Sequence, residues 1–474
     1  METWRVRVRG GSTICVPASP NYMTTYVLLE QEDWFEKEVS FVRRMLQPGM
    51  RAVDVGANFG IYTSVFARGV GPGGRVWALE PASSTLECLA ETIALNSFSQ
   101  VDAVRIALSD RAGTARLGID RNSELNSLAV RAGQPTEEVP LATLDGFAAA
   151  AGAANIDFLK LDAEGEELNI LAAGQDFMRR ESPLVMFEVK VGTEHNPGLA
   201  AAFRKLGYGT YRLVGPDCLL VPQAEGEALD PFELNLFACK EGRASQLAAR
   251  GLLIRAYAGG TSPKPGTGVA LCSAQAFWPD LPQTLSGAPA SYQQALDDYA
   301  LWRDETASWE IRATALLGAL EKVCAAARES PSSAVLSSAA RIADEAGARQ
   351  LSVQLLEALL SRLQQSGVPE HPCWPAHRRY DHVAVAGDVR GWFAAAAIEA
   401  AVTRMSFSGY FSRDASAPLL ACLKDTRYDS PPMERRRQLA AVLSGQQPHL
   451  RASPLLREAG VDHLNPELWS ASVG

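Results

Sequence analysis

The stretch Met50-Arg-Ala-Val-Asp-Val-Gly-Ala-Asn-Phe-Gly60, continued by Ile61-Tyr-Thr-Ser-Val65, passes from a β-branched run to an amphipathic one through two glycines. The pattern predicts a strand over Arg51–Val55, a sharp turn through Gly56 and Gly60, and a helix over Ile61–Arg68. Glycine lacks the Cβ that would collide with a ligand pressed against such a turn. The following helix offers free amide donors at its N-terminus. A second strand, Arg75–Leu79, ends at Glu80, 26 residues after Asp54. A carboxylate at that strand end is placed to accept both hydroxyls of a ribose.

Working outward, Val101–Ala107, Ile156–Leu161, Leu184–Val189 and Leu234–Cys239 also read as strands, and Ser84–Leu95 as an amphipathic helix. Strands alternating with helices imply βαβ units, hence a doubly wound, Rossmann-like α/β domain with a parallel sheet and helices on both faces. The opening METWRVRVRGG alternates Arg with apolar residues and reads as an edge strand, not a signal peptide. Tyr26–Phe41 reads as a capping helix, with Trp34 and Phe35 as core residues or as aromatics closing over a ligand. Arg116–Pro140 is too polar and long for a simple crossover, so a hairpin or loop over the sheet edge is expected there.

Three ligands compete for the first crossover. A P-loop needs GK[ST], which is absent. A nicotinamide dinucleotide favours GxGxxG, whereas Ala57 and Asn58 follow Gly56. Asp54-x-Gly56-x-x-x-Gly60 instead sets a carboxylate beside the turn, which suits a ligand end bearing an ammonium and a sulfonium. S-adenosylmethionine fits that description.

The blocks VDVGANFGIYTSVFA, VWALEP, ALSDRAG, VPLATLDGF and FLKLDAEGEELNILAAG, spanning Val53–Gly174, resemble the FkbM-family methyltransferases in order and near spacing. The resemblance implies a class I S-adenosylmethionine-dependent methyltransferase, in a family that methylates hydroxyls on sugars and polyketides. It implies cofactor contacts at Asp54, Gly56, Ala57, Asn58, Gly60, Glu80 and Pro81, with Ser109 and Asp110 near the adenine. Asn126-Ser127-Leu128 resembles a family position over the acceptor, or is a simple turn. Many relatives carry a histidine soon after the Glu188 position; this chain has Lys190 there and His195 later, and His195 reads as an ordinary loop residue.

Leu159-Lys160-Leu161-Asp162-Ala163-Glu164-Gly165 bears on mechanism. Strand alternation puts Lys160 and Asp162 on one face and Glu164 on the loop leaving the carboxyl end, where such sheets bind ligands. Methyl transfer to an alcohol requires in-line alignment and removal of a proton. Glu164 is the leading base, followed by Asp162 and Glu188, with Lys160 steadying the carboxylates or a developing alkoxide. The bland alternative is an ion-pair set closing the strand end. Asp162, Glu164 and Glu188 could also hold a divalent cation, but their spacing fits no fixed ligand motif and no metal is predicted.

The chain has 474 residues, a formal net charge of −9 and 47% hydrophobic residues. That length favours more than one domain, and the apolar fraction excludes wholesale disorder. The acidic balance, roughly −8 before residue 250, argues against a nucleic-acid partner. No apolar run spans a bilayer, and the eight scattered cysteines read as reduced thiols, so a cytoplasmic protein is expected. The division expected is a methyltransferase domain over 1–255 (cap 1–50), a Pro/Gly-rich linker over 256–290, and an all-α domain over 291–474. That helical half is of unassigned role and a candidate surface for homo-oligomerisation. Within it, Cys373, His377 and His382 are a candidate zinc set, and Trp374, Arg378 and Tyr380 candidate acceptor contacts; a rigid Pro-rich loop is the plain alternative. A nicotinamide-dependent oxidoreductase or epimerase would share the fold but lacks GxGxxG and Tyr-x-x-x-Lys. A helical scaffold with a degenerate methyltransferase domain is disfavoured by the intact glycine turn, Glu80 and the Asp162–Glu164 block. The acceptor expected for the methyltransferase is a small molecule or a glycan.

Overall fold

The structure, a computed structural model, describes residues 2–191, 194–195, 197–275, 277, 280–365, 368–446, 449–460 and 463–470. The chain opens with the antiparallel hairpin β1 (Thr3–Arg7) and β2 (Thr13–Pro17). Two helices follow, α1 (Met23–Gln31) and α2 (Lys37–Met45). The single capping helix expected over Tyr26–Phe41 is therefore broken. Glu32 takes the left-handed conformation (φ 56°) at the end of α1. Its carboxylate accepts from the amide of Leu464, so a tertiary contact overrides helix propensity here.

The central sheet is built from β3 (Arg51–Val55), β4 (Arg75–Leu79), β5 (Val101–Val104), β9 (Phe158–Leu161), β10 (Leu184–Glu188), β13 (Gly209–Val214), β14 (Leu219–Pro222) and β15 (Asn235–Cys239). Their spatial order is β14-β13-β15-β10-β9-β3-β4-β5. β10, β9, β3, β4 and β5 run parallel, whereas β15 pairs antiparallel to β10 and β13, and β13 to β14. The expectation of a wholly parallel sheet is corrected to a mixed one. The short turn between Val214 and Leu219 permits only a hairpin, since parallel neighbours need a long crossover. Neighbouring positions on one strand belong to different cores: Ala52 and Phe158 on one face, Val53 and Leu159 on the other. Helices including α3 (Ile61–Val70) and α4 (Ser83–Leu95) cover those faces, giving the doubly wound α/β arrangement.

The strand expected over Val101–Ala107 divides. After Val104 the chain leaves the sheet, and β6 (Ala107–Leu108) joins β7 (Gly113–Gly118) and β8 (Thr136–Ala142) in a small separate sheet. β7 and β8 form the hairpin anticipated over the sheet edge, with a loop of residues 119–135 at its tip. β11 (Lys190–Val191) and β12 (Glu194–His195) make a two-residue ladder just past β10.

Residues 256–290 do not behave as a free linker. They contain the helix Thr267–Ser273, and Cys272, Phe277 and Leu281 enter the same core as the later helices. Pro and Gly density predicted an open connection, but these apolar side chains bury too much surface to leave in water. Beyond lie helices over Ala290–Trp302, Trp309–Glu329, Ser333–Glu345, Arg349–Leu363, Val389–Arg404, Gly409–Leu423 and Pro431–Leu443. Ser308 and Ser332 cap two of them with side-chain acceptors. The last helices return to the N-terminus. Arg435 and Arg436 lie 3.3 and 3.2 Å from the carboxylates of Glu32 and Glu30, and Glu30 also accepts from the amide of Gly409. No helix among the described residues is long and apolar enough to cross a membrane.

Candidate functional site

A cavity of about 970 Å³ opens over the carboxyl ends of β3, β4 and β9, the edge at which open α/β sheets bind ligands. Its floor is the turn after β3. Gly56 has φ 74°, and a Cβ there would overlap the carbonyl oxygen of Asp162. A Cβ on Gly60 would meet the Leu89 side chain. The glycines thus let β3 close against β9 and α3 against α4; protein, not ligand, occupies the space their missing side chains leave.

Glu80 stands at the end of β4 with 5% exposure. One carboxylate oxygen accepts the amide of Asn58 at 2.9 Å and the other that of Ala82 at 3.0 Å. Each retains lone pairs for a diol. Burial pushes this carboxyl up to about 7, partly offset by the two amides. Pro81, Ile106, Ala107, Leu108 and Leu117 supply apolar walls suited to a flat heterocycle. The hairpin tip closes the cavity from above. Ser123 donates to the Asn58 side-chain oxygen at 2.8 Å, and Ser127 to the backbone oxygen of Glu164 at 3.0 Å. Asn126, Ser127 and Leu128 line this cavity.

Lys160 ties the far wall together. Its ammonium is 2.7 Å from Asp162 and 3.9 Å from Asp54. Burial alone would lower its pKa; the charges of Asp162 and Asp54 outweigh that and raise it, so Lys160 remains a cation. Glu164 sits in the left-handed region (φ 49°), a conformation that costs a non-glycine residue roughly 1 kcal/mol or more. Burial, followed by the charge of Asp162, lifts its carboxyl to about 8. Glu188, at the end of β10, is pushed well above the usual carboxylate range, again chiefly by burial. Oxygens of Asp162, Glu164 and Glu188 all lie within 4.8 Å of one another. They are the one group of His, Cys, Asp or Glu among the described residues with a spacing that suits a metal ion.

Some expected residues are placed elsewhere. Asp54 is fully buried and does not face the cavity; it accepts from Thr63 at 2.6 Å beneath the turn. Ser109 is buried with its hydroxyl on Glu166, and exposed Asp110 pairs with Arg111, so the cavity wall comes from residues 106–108 instead. Gly60 lies behind the wall as the N-cap of α3. In the helical half, Cys373 is buried in the core while His382 is exposed, and with His377 they form no metal-spaced group. Trp374 and Tyr380 are wholly buried and packed on Tyr299 and Trp392, which removes them as acceptor contacts. The His195 side chain lies outside the described residues.

Two contributors were not singled out in the sequence. Glu36, in the extended break between α1 and α2, accepts from Tyr62 Oη at 2.5 Å and from Asn235 at 3.2 Å and faces the cavity. Glu124, at the hairpin tip, is raised to about 7 by burial. Six carboxylates but only Lys160 as a cation line the cavity among the described residues. Such a surplus, held away from water, favours a ligand carrying positive charge. A diol acceptor, an apolar slot and a carboxylate wall in sequence fit a nucleoside joined to a cationic sulfonium and ammonium.

Residues 54–209 match the family model described as the methyltransferase FkbM domain. Among solved structures, the chain is similar to a methyltransferase FkbM from Methylobacillus flagellatus KT, with 16% identity and a TM-score of 0.28, over 40% of this chain and 43% of that one. It is also similar to an S-adenosylmethionine-dependent O-methyltransferase from Thermotoga maritima (16% identity, TM-score 0.28, 50% of this chain and 77% of that one). A third is an O-methyltransferase from Bacillus cereus in complex with S-adenosylhomocysteine (13% identity, TM-score 0.26, 43% and 80%). The likeness thus spans less than half the length of the first of these proteins. None of the curated proteins compared with the chain matches it. Residues 54–209 are a methyltransferase domain of the FkbM family, with S-adenosylmethionine as its cofactor.

Proposed function

We propose that the protein is an O-methyltransferase acting on a hydroxyl of a glycan or a glycosylated or polyketide-type metabolite in the cytoplasm. The observation that carries the reading is the half-buried carboxylate wall of Asp162, Glu164 and Glu188 beside a cavity with a diol acceptor at Glu80. S-adenosylmethionine supplies an electrophilic methyl carbon on a sulfonium. Glu80 would hold the ribose, the turn at Gly56–Asn58 the polar end, and the slot at 106–108 the adenine.

The protein's part in the reaction is alignment and proton transfer. Glu164 is the proposed base. Its carboxyl, lifted to about 8, takes a hydroxyl proton more readily than an ordinary carboxylate does. Lys160, fixed on Asp162, balances the charge that the proton leaves behind. Asp162 and Glu188 complete the wall as orienting groups. The division into a methyltransferase half (1–255) and a helical half (291–474) belongs to the same proposal.

Calorimetry with S-adenosylhomocysteine, with NAD as control, tests the cofactor site. Binding of the first and not the second is expected; preference for NAD overturns the reading. Transfer of labelled methyl to hydroxylated acceptors, with loss of transfer after masking the hydroxyl, tests the O-methyl assignment.

A further inference from the structure

A second cavity, of about 890 Å³, lies between the two halves of the chain and shares Glu36 with the first. The extended segment between α1 and α2 forms the partition. Trp34 lines the cofactor cavity, Phe35 the second, and Glu36 both. Asn235, which donates to Glu36, pairs through its backbone with Glu188 of the carboxylate wall. Glu36 thus links the second cavity, through Asn235, to the strand end that carries Glu188.

Its walls come from both halves. Phe35 and Phe232 stand in the N-terminal half, and Phe407 joins them from the helical half at ring separations of 5.3 and 5.7 Å. Its six carboxylates exceed its three cations, and each cation is already engaged. Lys37 lies 3.2 Å from Glu233, Arg349 donates to the backbone oxygens of Arg404, Thr403 and Ser406, and Arg378 lies 3.6 Å from Glu345. A phosphate or carboxylate entering here would find Lys37 and Arg378 paired with carboxylates and Arg349 held by backbone oxygens, beside a surplus of acidic groups.

We infer that this cavity between the halves is the acceptor site, that Phe407 of the helical half is a specificity-determining wall, and that it admits neutral or amine-bearing hydroxylated acceptors while rejecting phosphorylated ones. The inference rests on the methyltransferase reading above. Aromatic rings would cover the C–H faces of such an acceptor and the carboxylates accept its hydroxyl or ammonium hydrogens, and Glu36, which lines both cavities, is where the acceptor would meet the methyl donor.

The test assays labelled methyl transfer to maltotriose, a glucosamine trisaccharide and maltotriose 6-phosphate, beside calorimetry with S-adenosylhomocysteine. Transfer to the neutral or amine-bearing probe and not to the phosphate is expected. Phe407→Ala should raise KM for the accepted probe at least tenfold, leave kcat within threefold and leave S-adenosylhomocysteine affinity within twofold. Phe407→Leu, which keeps bulk without the ring, should fall between if the first variant folds poorly. Preferred transfer to the phosphate, an unchanged KM in both variants, or no transfer to any probe by protein that binds S-adenosylhomocysteine overturns the inference. Failure of the wild-type protein to bind S-adenosylhomocysteine would instead overturn the underlying reading.

Discussion

The Lys160 ammonium lies 2.7 Å from the Asp162 carboxylate and is the one cation facing the cavity over β3, β4 and β9 among the described residues. Alternation on β9 puts the two on the same face, and burial leaves Lys160 at 3% exposure. Removing the charge strands Asp162 beside Glu164 and deprives Asp54 of its 3.9 Å partner. Lys160→Met is expected to cost about 3 kcal/mol of stability, the usual scale for breaking one side of a buried pair. Urea unfolding followed by circular dichroism measures it. A loss below about 1 kcal/mol would mean that the carboxylates simply take up protons in its place.

Glu164→Gln keeps the shape of the wall but cannot accept a proton. Methyl transfer is expected to slow at least ~100-fold while S-adenosylhomocysteine affinity is preserved. The wild-type rate should climb with pH while Glu164 is protonated and level off above its pKa of about 8, since only the ionised form is a base. The bound cofactor's positive charge shifts that rise to lower pH. A flat profile between pH 6 and 9, or unchanged turnover in the variant, removes Glu164 from the role. Activity lost on chelation and restored by magnesium would instead give the three carboxylates a cation to hold.

The pH dependence of stability has a sign fixed by the same burial. Glu80 and Glu124 are raised to about 7 and Glu164 to about 8 in the folded protein, whereas unfolded glutamates titrate near ~4.3. Between those values the native state binds more protons than the unfolded one, so these groups make stability fall as pH rises. Their contribution is fully present below ~4.3 and is lost as pH passes through 7–8. The melting temperature of ligand-free protein is expected to drop between pH 6 and 8.5, and Glu164→Gln to shrink the drop. A melting temperature rising over that window would show that the carboxylates ionise without penalty.

The cofactor half was legible where local chemistry decided the outcome. The strands at Arg51–Val55 and Arg75–Leu79 end where glycine and glutamate interrupt the β-branched runs, and both appear with those limits. What the sequence concealed was set by distant contacts. Asp54 looked like a ligand contact because it adjoins the turn, yet alternation on β3 turns it beneath toward Thr63. Glu36 carried no motif; only the break of the capping helix, enforced by Glu32 docking on the C-terminal segment, brings it to the cavity. The hairpin β13–β14 has only short apolar runs, Leu213–Val214 and Cys218–Val221, which were not read as strands, and its antiparallel placement depends on a turn with no Asn-Gly or Asp-Gly signal.

Gly56 has two reasons to be glycine, a φ of 74° and the Asp162 carbonyl where a Cβ would sit. The overlap is with backbone, so no side-chain rotation relieves it. Gly56→Ala is expected to cost about 2 kcal/mol or more and to weaken S-adenosylhomocysteine binding, because β3 and β9 must part at the cavity floor. Thermal unfolding and calorimetry check the two effects together. Full stability with normal binding would show that the strand ends yield freely.

The two halves are joined by ion pairs that exclude water. Arg435 is 0% and Arg436 6% exposed; they face Glu32 and Glu30 on and just after α1, and Glu30 also holds the amide of Gly409. Cutting one cation leaves a buried carboxylate at the junction that positions the Trp34–Glu36 partition. Arg436→Met is therefore expected to destabilise by about 3 kcal/mol. It should also lower S-adenosylhomocysteine affinity, although Arg436 touches neither cavity, because the partition is anchored through α1. The paired variant Arg436→Met with Glu30→Gln removes both charges and should recover more than half of the stability lost. Failure of the pair to recover stability would mean that packing at α1, and not charge pairing, fixes the junction.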